Sequence, residues 1–325
     1  MLENELNSFK QLILEADKRA IKNQSIVEEK DVKSIKSKFE RLYLLFDDLI
    51  RSEQEMSPEI EQKFGNIFQR EMLPYILLTE AGERCYSKPR GYAGDYHMIE
   101  SIYQNNQRGS GRLGCVLDSC FLDLPAAQAA RNRRGVFVKE IKKVLEKTNN
   151  GQVNIMSIAS GPAKEIFDIF DFIDNPSQLK IKLLDFDIQA LSFVNEKLTK
   201  INLNNQVELL NENIIYLITE KRKLEIEKQD FIYSIGVIDY LKDETVVKLI
   251  NYIYKILKPG GKVILGNFHS ANPCKAFMDY VLDWRLIHRD ENDMNRLFNS
   301  SKFQKTCTKI FLEERKINLF AECIK

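Results

Sequence analysis

Two stretches decide the fold: VNIMSIASGPAKE at residues 153–165, and KLLDFDIQAL at residues 182–191. Each begins as an apolar strand; the first breaks at the Ser-Gly-Pro of residues 160–162 and the second ends in aspartates. Small residues let the backbone approach a ligand at a helix N-terminus, where amide N–H groups are unpaired. Asp185 or Asp187 then accepts hydrogen bonds from a ribose diol. The pair of stretches predicts an adenosyl-cofactor half-site, although a small turn also serves plain strand-to-helix packing.

Length and charge narrow the class of protein. The 325 residues suit one large domain or two ordinary ones. Lys and Arg number 48 against 47 Asp and Glu, so we expect no general attraction to nucleic acid or to an anionic membrane. The first twenty residues are amphipathic and acidic, and no apolar run approaches the roughly 18 residues of a membrane span. Neither a signal peptide nor a membrane span is expected.

The six cysteines are scattered along the chain. They form no C-x-x-C motif and have no histidine at metal-ligand spacing. We therefore expect no disulfide framework, no metal site and a reduced, cytoplasmic location.

The periodicity of residues 1–148 is helical, and we assign them to an N-terminal cap that serves as substrate domain. Apolar residues in 2–16 and in 32–49 recur at steps of three and four, which predicts two amphipathic helices. Such stripes usually face their own core; a homodimer through these N-terminal helices is the alternative. Ser57-Pro58 has the pattern of an N-cap followed by Pro at the first helical position, which predicts another helix with its apolar face through Ile60, Phe64 and Ile67. A turn cluster at 148–151 marks the boundary to a second domain, 149–325.

Strands and helices alternate in the second domain, which predicts a parallel sheet with right-handed crossovers. A turn at Lys258-Pro259-Gly260-Gly261 feeds the fifth strand, and residues 304–325 contain two strand-like runs around a charged turn. Such a pair predicts an antiparallel hairpin at the edge of the sheet. The parallel strands are expected near residues 153–159, 181–186, 206–210, 230–235 and 262–267.

This layout resembles the class I S-adenosylmethionine (SAM)-dependent methyltransferase fold, a Rossmann-like seven-stranded sheet that ends in an antiparallel hairpin. That class shows an acid-x-Gly-x-Gly-x-Gly pattern at the first turn, whereas this chain reads Ser157-x-Ala159-x-Gly161-x-Ala163. The acid and two glycines are replaced, and Glu165 stands where it could take over part of the acid's role. A nicotinamide dehydrogenase is disfavoured, because a lysine follows where the third glycine of its fingerprint belongs.

The resemblance implies cofactor contacts at the ends of later strands. Asp185, with Asp187 as a second candidate, matches the acid that holds the ribose hydroxyls. Asn213 matches the polar residue that contacts the adenine amine. Ser234 and Gly236 match the end of the fourth strand, where methyl group and substrate meet.

Four further segments resemble a narrower family, the extracellular-factor type of 3-hydroxypalmitic acid methyl ester biosynthesis. The similarity runs from about Cys85 to the C-terminus. It implies methyl transfer from SAM to the carboxylate of a 3-hydroxy fatty acid, a small-molecule substrate. The segments are KPRGYAGDYHMIESIY (88–103), PAAQAARNRR (125–134), YSIGVIDYL (233–241) and NFHSANPCKAFMDYVLDWRLIHR (267–289).

Three residues of the helical half are candidates for closing the site: Arg90, Tyr92 and Asp95. Arg90 could grip a carboxylate through two hydrogen bonds, either the acceptor's or the cofactor's own. Of the arginines in residues 131–134 only Arg131 is assigned to substrate, because a basic run near a helix start usually faces solvent.

The loops after the fourth and fifth strands supply the remaining candidates, since α/β sheets bind ligands at the carboxyl ends of their strands. His269 is the candidate base, with Tyr240 and Tyr92 as further catalytic candidates. Asp239 and Asn267 are expected to line the acceptor pocket. An ionised carboxylate acceptor needs no base, whereas an amine, phenol or alcohol does.

Two alternatives stay open at this level. The first keeps SAM but changes the reaction to an intramolecular cyclisation, which releases methylthioadenosine (MTA) instead of S-adenosylhomocysteine (SAH). The second is a non-catalytic SAM-binding module, suggested by the altered first turn.

Overall fold

A computed structural model describes residues 2–52, 57–148 and 151–325 of the chain. The chain divides into two compact units. One comprises Met1–Ala130 and Ala271–Arg285, and the other comprises Arg131–Ser270 and Leu286–Lys325. The predicted boundary turn lies partly outside the described residues, because it includes positions 149 and 150.

The first unit is helical throughout its described elements. Its chain returns at residues 271–285 with a π-helical turn, Phe277–Val281. The helices before this turn are α1 (Leu2–Lys22), α2 (Glu29–Ser52), α3 (Pro58–Ile76), α4 (Glu80–Ser87), α5 (Tyr96–Gln104), α6 (Gly114–Leu122) and the start of α7 (Pro125–Lys147).

The apolar stripes of α1 and α2 form core within this unit, as the periodicity predicts. Phe9 on α1 and Phe39 on α2 are buried, and their ring centroids lie 6.3 Å apart. The Phe39 ring also meets the edge of Phe277 at 5.4 Å, which ties residues 271–285 to the helical unit. The stripes therefore serve the chain's own core.

Helix α3 starts as predicted but buries a different face. Ser57 accepts a hydrogen bond from the Ile60 amide, and Pro58 follows at the first helical position. A Cβ on Gly65 would lie 2.1 Å from the Tyr280 ring, so this side of the helix packs closely on the π-helical turn. The buried residues are accordingly Gly65, Phe68, Met72 and Ile76, whereas Ile60, Phe64 and Ile67 are exposed.

The second unit is a seven-stranded sheet in the order β3-β2-β1-β4-β5-β7-β6. The first five strands are parallel, and β7 pairs antiparallel with β5 and with β6. The elements are β1 (Val153–Ile158), α8 (Lys164–Phe170), β2 (Leu179–Asp185), α9 (Ile188–Lys200), β3 (Val207–Asn211), α10 (Ile214–Ile218), β4 (Gln229–Ser234), α11 (Asp243–Ile256), β5 (Leu257–Phe268), α12 (Glu291–Asn299), β6 (Lys309–Leu312) and β7 (Asn318–Ile324).

The sheet is covered on both faces, which explains its continuous apolar strands. Ile155 and Phe231 belong to one buried cluster, and the neighbouring Met156 and Ile232 belong to the other. Phe137 of α7 packs into the first cluster, so most of α7 belongs with the sheet, and the compact unit begins at Arg131. The predicted fold class, including the helical N-terminal region and the C-terminal hairpin, is confirmed.

The predicted turn at 258–261 lies inside β5 as an irregularity of the strand. Gln229 pairs with Leu257, and the register then shifts so that Phe231 pairs with Lys262. Gly260 adopts a φ of +75°, and its amide bonds to the carbonyl of Lys325. Because the C-terminal strand supplies this partner, the strand continues past the turn.

No helix in residues 2–52, 57–148 or 151–325 combines the length and apolar character needed to cross a membrane.

Candidate active site

The first turn of the sheet unit keeps a glycine-like backbone without the glycines. β1 ends at Ile158 and α8 begins at Lys164. Between them Ala159, Gly161 and Ala163 have φ values of +54°, +53° and +47°. A left-handed conformation costs a residue with a Cβ roughly 1–2 kcal/mol, and such strain clusters at functional sites. A Cβ on Gly161 would meet no atom within 4 Å, so the backbone here is open to a ligand.

Replacing Ala159 with glycine should stabilise the sheet unit. Relief of the left-handed strain, roughly 1–2 kcal/mol, exceeds the added freedom of the unfolded chain, so we expect a net gain of about 0.5–1 kcal/mol. Differential scanning calorimetry should show a melting temperature raised by a few degrees. Gly161→Ala is the matched control and should lower it, because it introduces the same strain. A lower melting temperature for Ala159→Gly would contradict this account.

Asp185, at the end of β2, ties this turn to the next loop. One carboxylate oxygen accepts the Gly161 amide at 2.8 Å, and the other accepts the Asp187 amide at 2.9 Å. Burial raises the pKa of Asp185, and the two amides counteract that shift. Each carboxylate oxygen accepts more than one hydrogen bond, so the group keeps capacity for a diol. Three residues predicted to bind cofactor are therefore brought together here.

Other predicted cofactor residues hold the rim of the sheet. Asp187 and Asn213 cap the N-termini of α9 and α10, accepting from the Gln189 and Ile215 amides. The Ser234 hydroxyl donates to the Ile158 carbonyl at 2.8 Å and so locks β4 to β1. These contacts fix the positions where the loops leave the strands.

Glu165 lies buried beside β4, whereas Ser157, which stands in place of the acid of the class I pattern, lies buried within β1. The Tyr233 hydroxyl donates to Glu165 at 2.8 Å. Burial raises the pKa of Glu165 to about 7, against the lowering effect of its own backbone amide, the Tyr233 hydroxyl and the Arg133 charge. The acid at this end of the sheet is therefore Glu165 of α8, and not a residue of β1.

Arg133 is a residue that the sequence prediction missed. The basic run predicted a solvated face, but Arg133 is only 7% exposed. Phe137 and Ile141 follow it by four and eight residues and are fully buried. Residues at this spacing share one side of a helix, so Arg133 falls on the inward face of α7. That spacing was the available signal. Arg131, the arginine assigned to substrate, is partly buried on the same helix.

The loops after β4 and β5 are joined by a buried polar network. The Asp239 carboxylate accepts the Phe268 amide at 2.7 Å, and burial raises its pKa to about 7. The Asn267 side chain donates to two carbonyls, of Phe268 and Ile287, and accepts from Arg289 at 2.9 Å. With 0% exposure, Asn267 has a structural role in these contacts.

His269 follows β5 directly, as predicted. Its Nε2 lies 3.3 Å from the carboxylate of Glu291 on α12, and the side chain is mostly buried. Tyr240 follows β4 and is 44% exposed. The Ile287 amide donates to the Asp239 carbonyl, so Ile287, which is also exposed, lies near the same loop.

The three candidates of the helical half lie in the first unit. Asp95 caps α5 through the Met98 amide and receives two hydrogen bonds from Arg84, at 3.2 and 2.7 Å. The Arg90 guanidinium lies 5.4 Å from the centroid of the Tyr96 ring, and Tyr92 is partly buried. The Asp95 carboxylate thus organises its own loop, in which Gly91 has a positive φ of +87°.

Comparison with known proteins agrees with this geometry. Residues 131–282 match the model of the ubiE/COQ5 methyltransferase family. No curated protein sequence matches the chain. A solved structure of a possible exported protein from Bordetella parapertussis is 16% identical with a TM-score of 0.62, covering 79% of this chain and 87% of that one. Magnesium protoporphyrin IX methyltransferase from Synechocystis PCC 6803, with bound SAH, is 11% identical with a TM-score of 0.50, covering 75% and 97%.

The structural similarities show the shared fold. The family match begins at Arg131, where the sheet unit itself begins, and covers the turn, Asp185 and the β4 loop. Fold and match together define the class: the chain is a SAM-dependent methyltransferase, with SAM as its cosubstrate.

Proposed function

We propose that the chain transfers the methyl group of SAM to the carboxylate of a small organic acid, a 3-hydroxy fatty acid or a related acid, as the extracellular-factor resemblance implies. Asp185 and Gly161 hold the cofactor's ribose side in this proposal, and Asn213 contacts its adenine. Methyl transfer is an in-line displacement, so the protein's main task is to hold acceptor and sulfonium methyl close and aligned.

The observation that supports an acceptor with an acyl chain is an apolar surface beside the loops after β4 and β5. Tyr240 and Ile287 are large, exposed and adjacent to the loops after β4 and β5. An acyl chain gains by covering such side chains, since burial is worth about 25 cal/mol per Å². The buried carboxyls of Glu165 and Asp239 already accept hydrogen bonds, from the Tyr233 hydroxyl and the Phe268 amide. Because both are engaged in this way, the site suits an acceptor that is already ionised and needs no base.

Incubation with methyl-labelled SAM and a panel of acids tests the proposal. The panel pairs 3-hydroxypalmitic acid with hexadecane-1,3-diol, which offers hydroxyls but no carboxylate. We expect organic-soluble label from the acid, SAH as coproduct, and release of labelled methanol by mild alkali, because esters hydrolyse and ethers do not. Alkali-stable label would contradict a carboxylate acceptor. MTA as product would indicate cyclisation, and binding without product would indicate the non-catalytic module.

The His269–Glu291 pair favours a second candidate, methyl transfer to a hydroxyl with His269 as base. A general base contributes roughly 10²–10⁴-fold, so the two candidates differ in their response to His269→Gln. With a carboxylate acceptor we expect kcat of His269→Gln within about threefold of wild type. A loss of two or more orders of magnitude would establish the hydroxyl reaction instead.

We also propose a location, further substrate residues and an oligomeric state for the protein. We infer a reduced, cytoplasmic location from the scattered cysteine pattern of the sequence. Arg90, Tyr92 and Asp95 of the helical unit, and Arg131 of the sheet unit, stay proposed substrate residues. A homodimer through the N-terminal helices is a further proposal, which sedimentation analysis would test.

A further inference from the structure

We propose that Arg133 is a carboxylate-binding residue of this enzyme, and that its ligand is either the carboxylate of the cofactor's methionine part or that of the acceptor. The two ligands share one chemistry, and the experiment below separates them. The identity of these ligands rests on the proposed methyl transfer.

Arg133 carries a positive charge that the protein leaves without a bonded counter-charge. The side chain is more than nine-tenths buried, and its Nε has no hydrogen-bond partner. Within the described chain no hydrogen bond or ion pair joins its guanidinium to another residue. Burying a charge without a partner is strongly unfavourable. Such a group is retained most readily where a ligand completes its hydrogen bonds.

The guanidinium lies at the carboxyl end of β4. Its Nη1 lies 3.3 Å from the point where a Cβ on Gly236 would be, and an Asp239 carboxylate oxygen lies 3.2 Å from that same point. Gly236 therefore leaves the room that lets Arg133 reach this rim. The end of β4 is where the resemblance places the transferred methyl group, so an anion bound here would be close to the reaction.

The surroundings of Arg133 favour a singly charged, planar anion. The Arg133 charge lowers the pKa of the Glu165 and Asp239 carboxyls, so both lie near it. Their hydrogen bonds come from Tyr233 and Phe268 instead. Two acidic groups nearby oppose a dianion such as phosphate. A carboxylate matches the guanidinium through two parallel hydrogen bonds.

Arg133→Met tests the assignment, with Arg134→Met as the matched control. Arg134 is the next residue, and it pairs with Asp168 instead of remaining without a partner. Calorimetry would measure SAH and MTA, which share adenosine while only SAH has the amino-acid carboxylate. If the cofactor is the ligand, Arg133→Met should weaken the affinity for SAH 10- to 100-fold and leave the affinity for MTA within threefold of wild type. If the acceptor is the ligand, SAH binding should persist and KM for the acid should rise at least tenfold.

Stability provides the readout that separates ligand binding from a structural role. Arg133→Met should leave the melting temperature of the ligand-free protein nearly unchanged, because Arg133 donates no hydrogen bond to any described residue and the acids near it keep their own donors. Arg133→Lys serves if Arg133→Met does not fold, and it should lose part of the SAH affinity because lysine cannot form the two parallel hydrogen bonds. Unchanged binding of SAH together with unchanged KM for the acid would overturn the proposal. Because SAH binding needs no acceptor, this arm holds even if the proposed acceptor is wrong.

Discussion

Asp185→Ala is expected to abolish measurable binding of SAM and SAH, a loss of at least a hundredfold in affinity. The substitution removes the proposed acceptor for the ribose hydroxyls, and it also removes the carboxylate that accepts the Gly161 and Asp187 amides. Hydrogen bonds to a charged group contribute about 1.5–3 kcal/mol each, and the turn that they hold is already strained at Ala159 and Ala163. Isothermal titration calorimetry with SAH measures the effect directly.

Two further variants serve as comparisons, one at Asp185 itself and one at the neighbouring Asp187. Asp185→Asn keeps one acceptor oxygen but places an NH₂ group against a backbone amide, so it should also lose SAH and should destabilise the unit by about 1–3 kcal/mol. Asp187→Asn changes a neighbouring carboxylate into another good N-cap, so α9 should remain intact. If Asp185→Ala bound SAH normally, Asp185 would not be the ribose ligand.

The sequence predicted this part of the molecule well because its signals are local. A small-residue turn, an apolar strand and an acid at the next strand's end are each readable within a few residues, and the structure joins Gly161, Asp185 and Asp187 through hydrogen bonds. The parallel strands were found for a similar reason. A strand that is buried on both faces is apolar throughout, which is visible without knowing its partners.

Features that depend on distant partners were not predictable in the same way. The turn at 258–261 continues within β5 because the last residue of the chain accepts the Gly260 amide. The exposure of Ile60 and Phe64 depends on Tyr280 packing against Gly65 on another side of α3. In both cases the deciding contact joins segments far apart in sequence.

The basic run at residues 131–134 of α7 was predicted to face solvent, because such runs usually do. Arg133 sits in such a run, and only its spacing from Phe137 and Ile141 indicated the inward face. Asn267 is a second case in which the sequence did not show the contacts. Its place near the end of a strand suggested a substrate ligand, and in the fold its amide connects Ile287, Phe268 and Arg289.

Arg289→Met should destabilise the sheet unit by about 3–5 kcal/mol, because it leaves buried acceptors without donors. Arg289 is 1% exposed and donates to the Ile238 and Leu241 carbonyls, to Asn267 and to Asp243. Methionine retains much of the apolar stem but none of these bonds. A domain is typically stable by only about 5–15 kcal/mol, so urea unfolding followed by far-UV circular dichroism should shift to clearly lower concentrations.

Arg296→Met provides the control, since Arg296 donates to the same carboxylate, that of Asp243, at 2.7 Å but is exposed. Exposed ion pairs contribute about 0–1 kcal/mol, so this variant should unfold close to wild type. Hydrogen exchange of β5 should accelerate in Arg289→Met alone, because the Phe268 carbonyl and Asn267 lie within that network. Equal effects of the two variants would mean that the network contributes only through the charge of Asp243. The loops after β4 and β5 would then be held by packing, and their polar contacts would be free to change during catalysis.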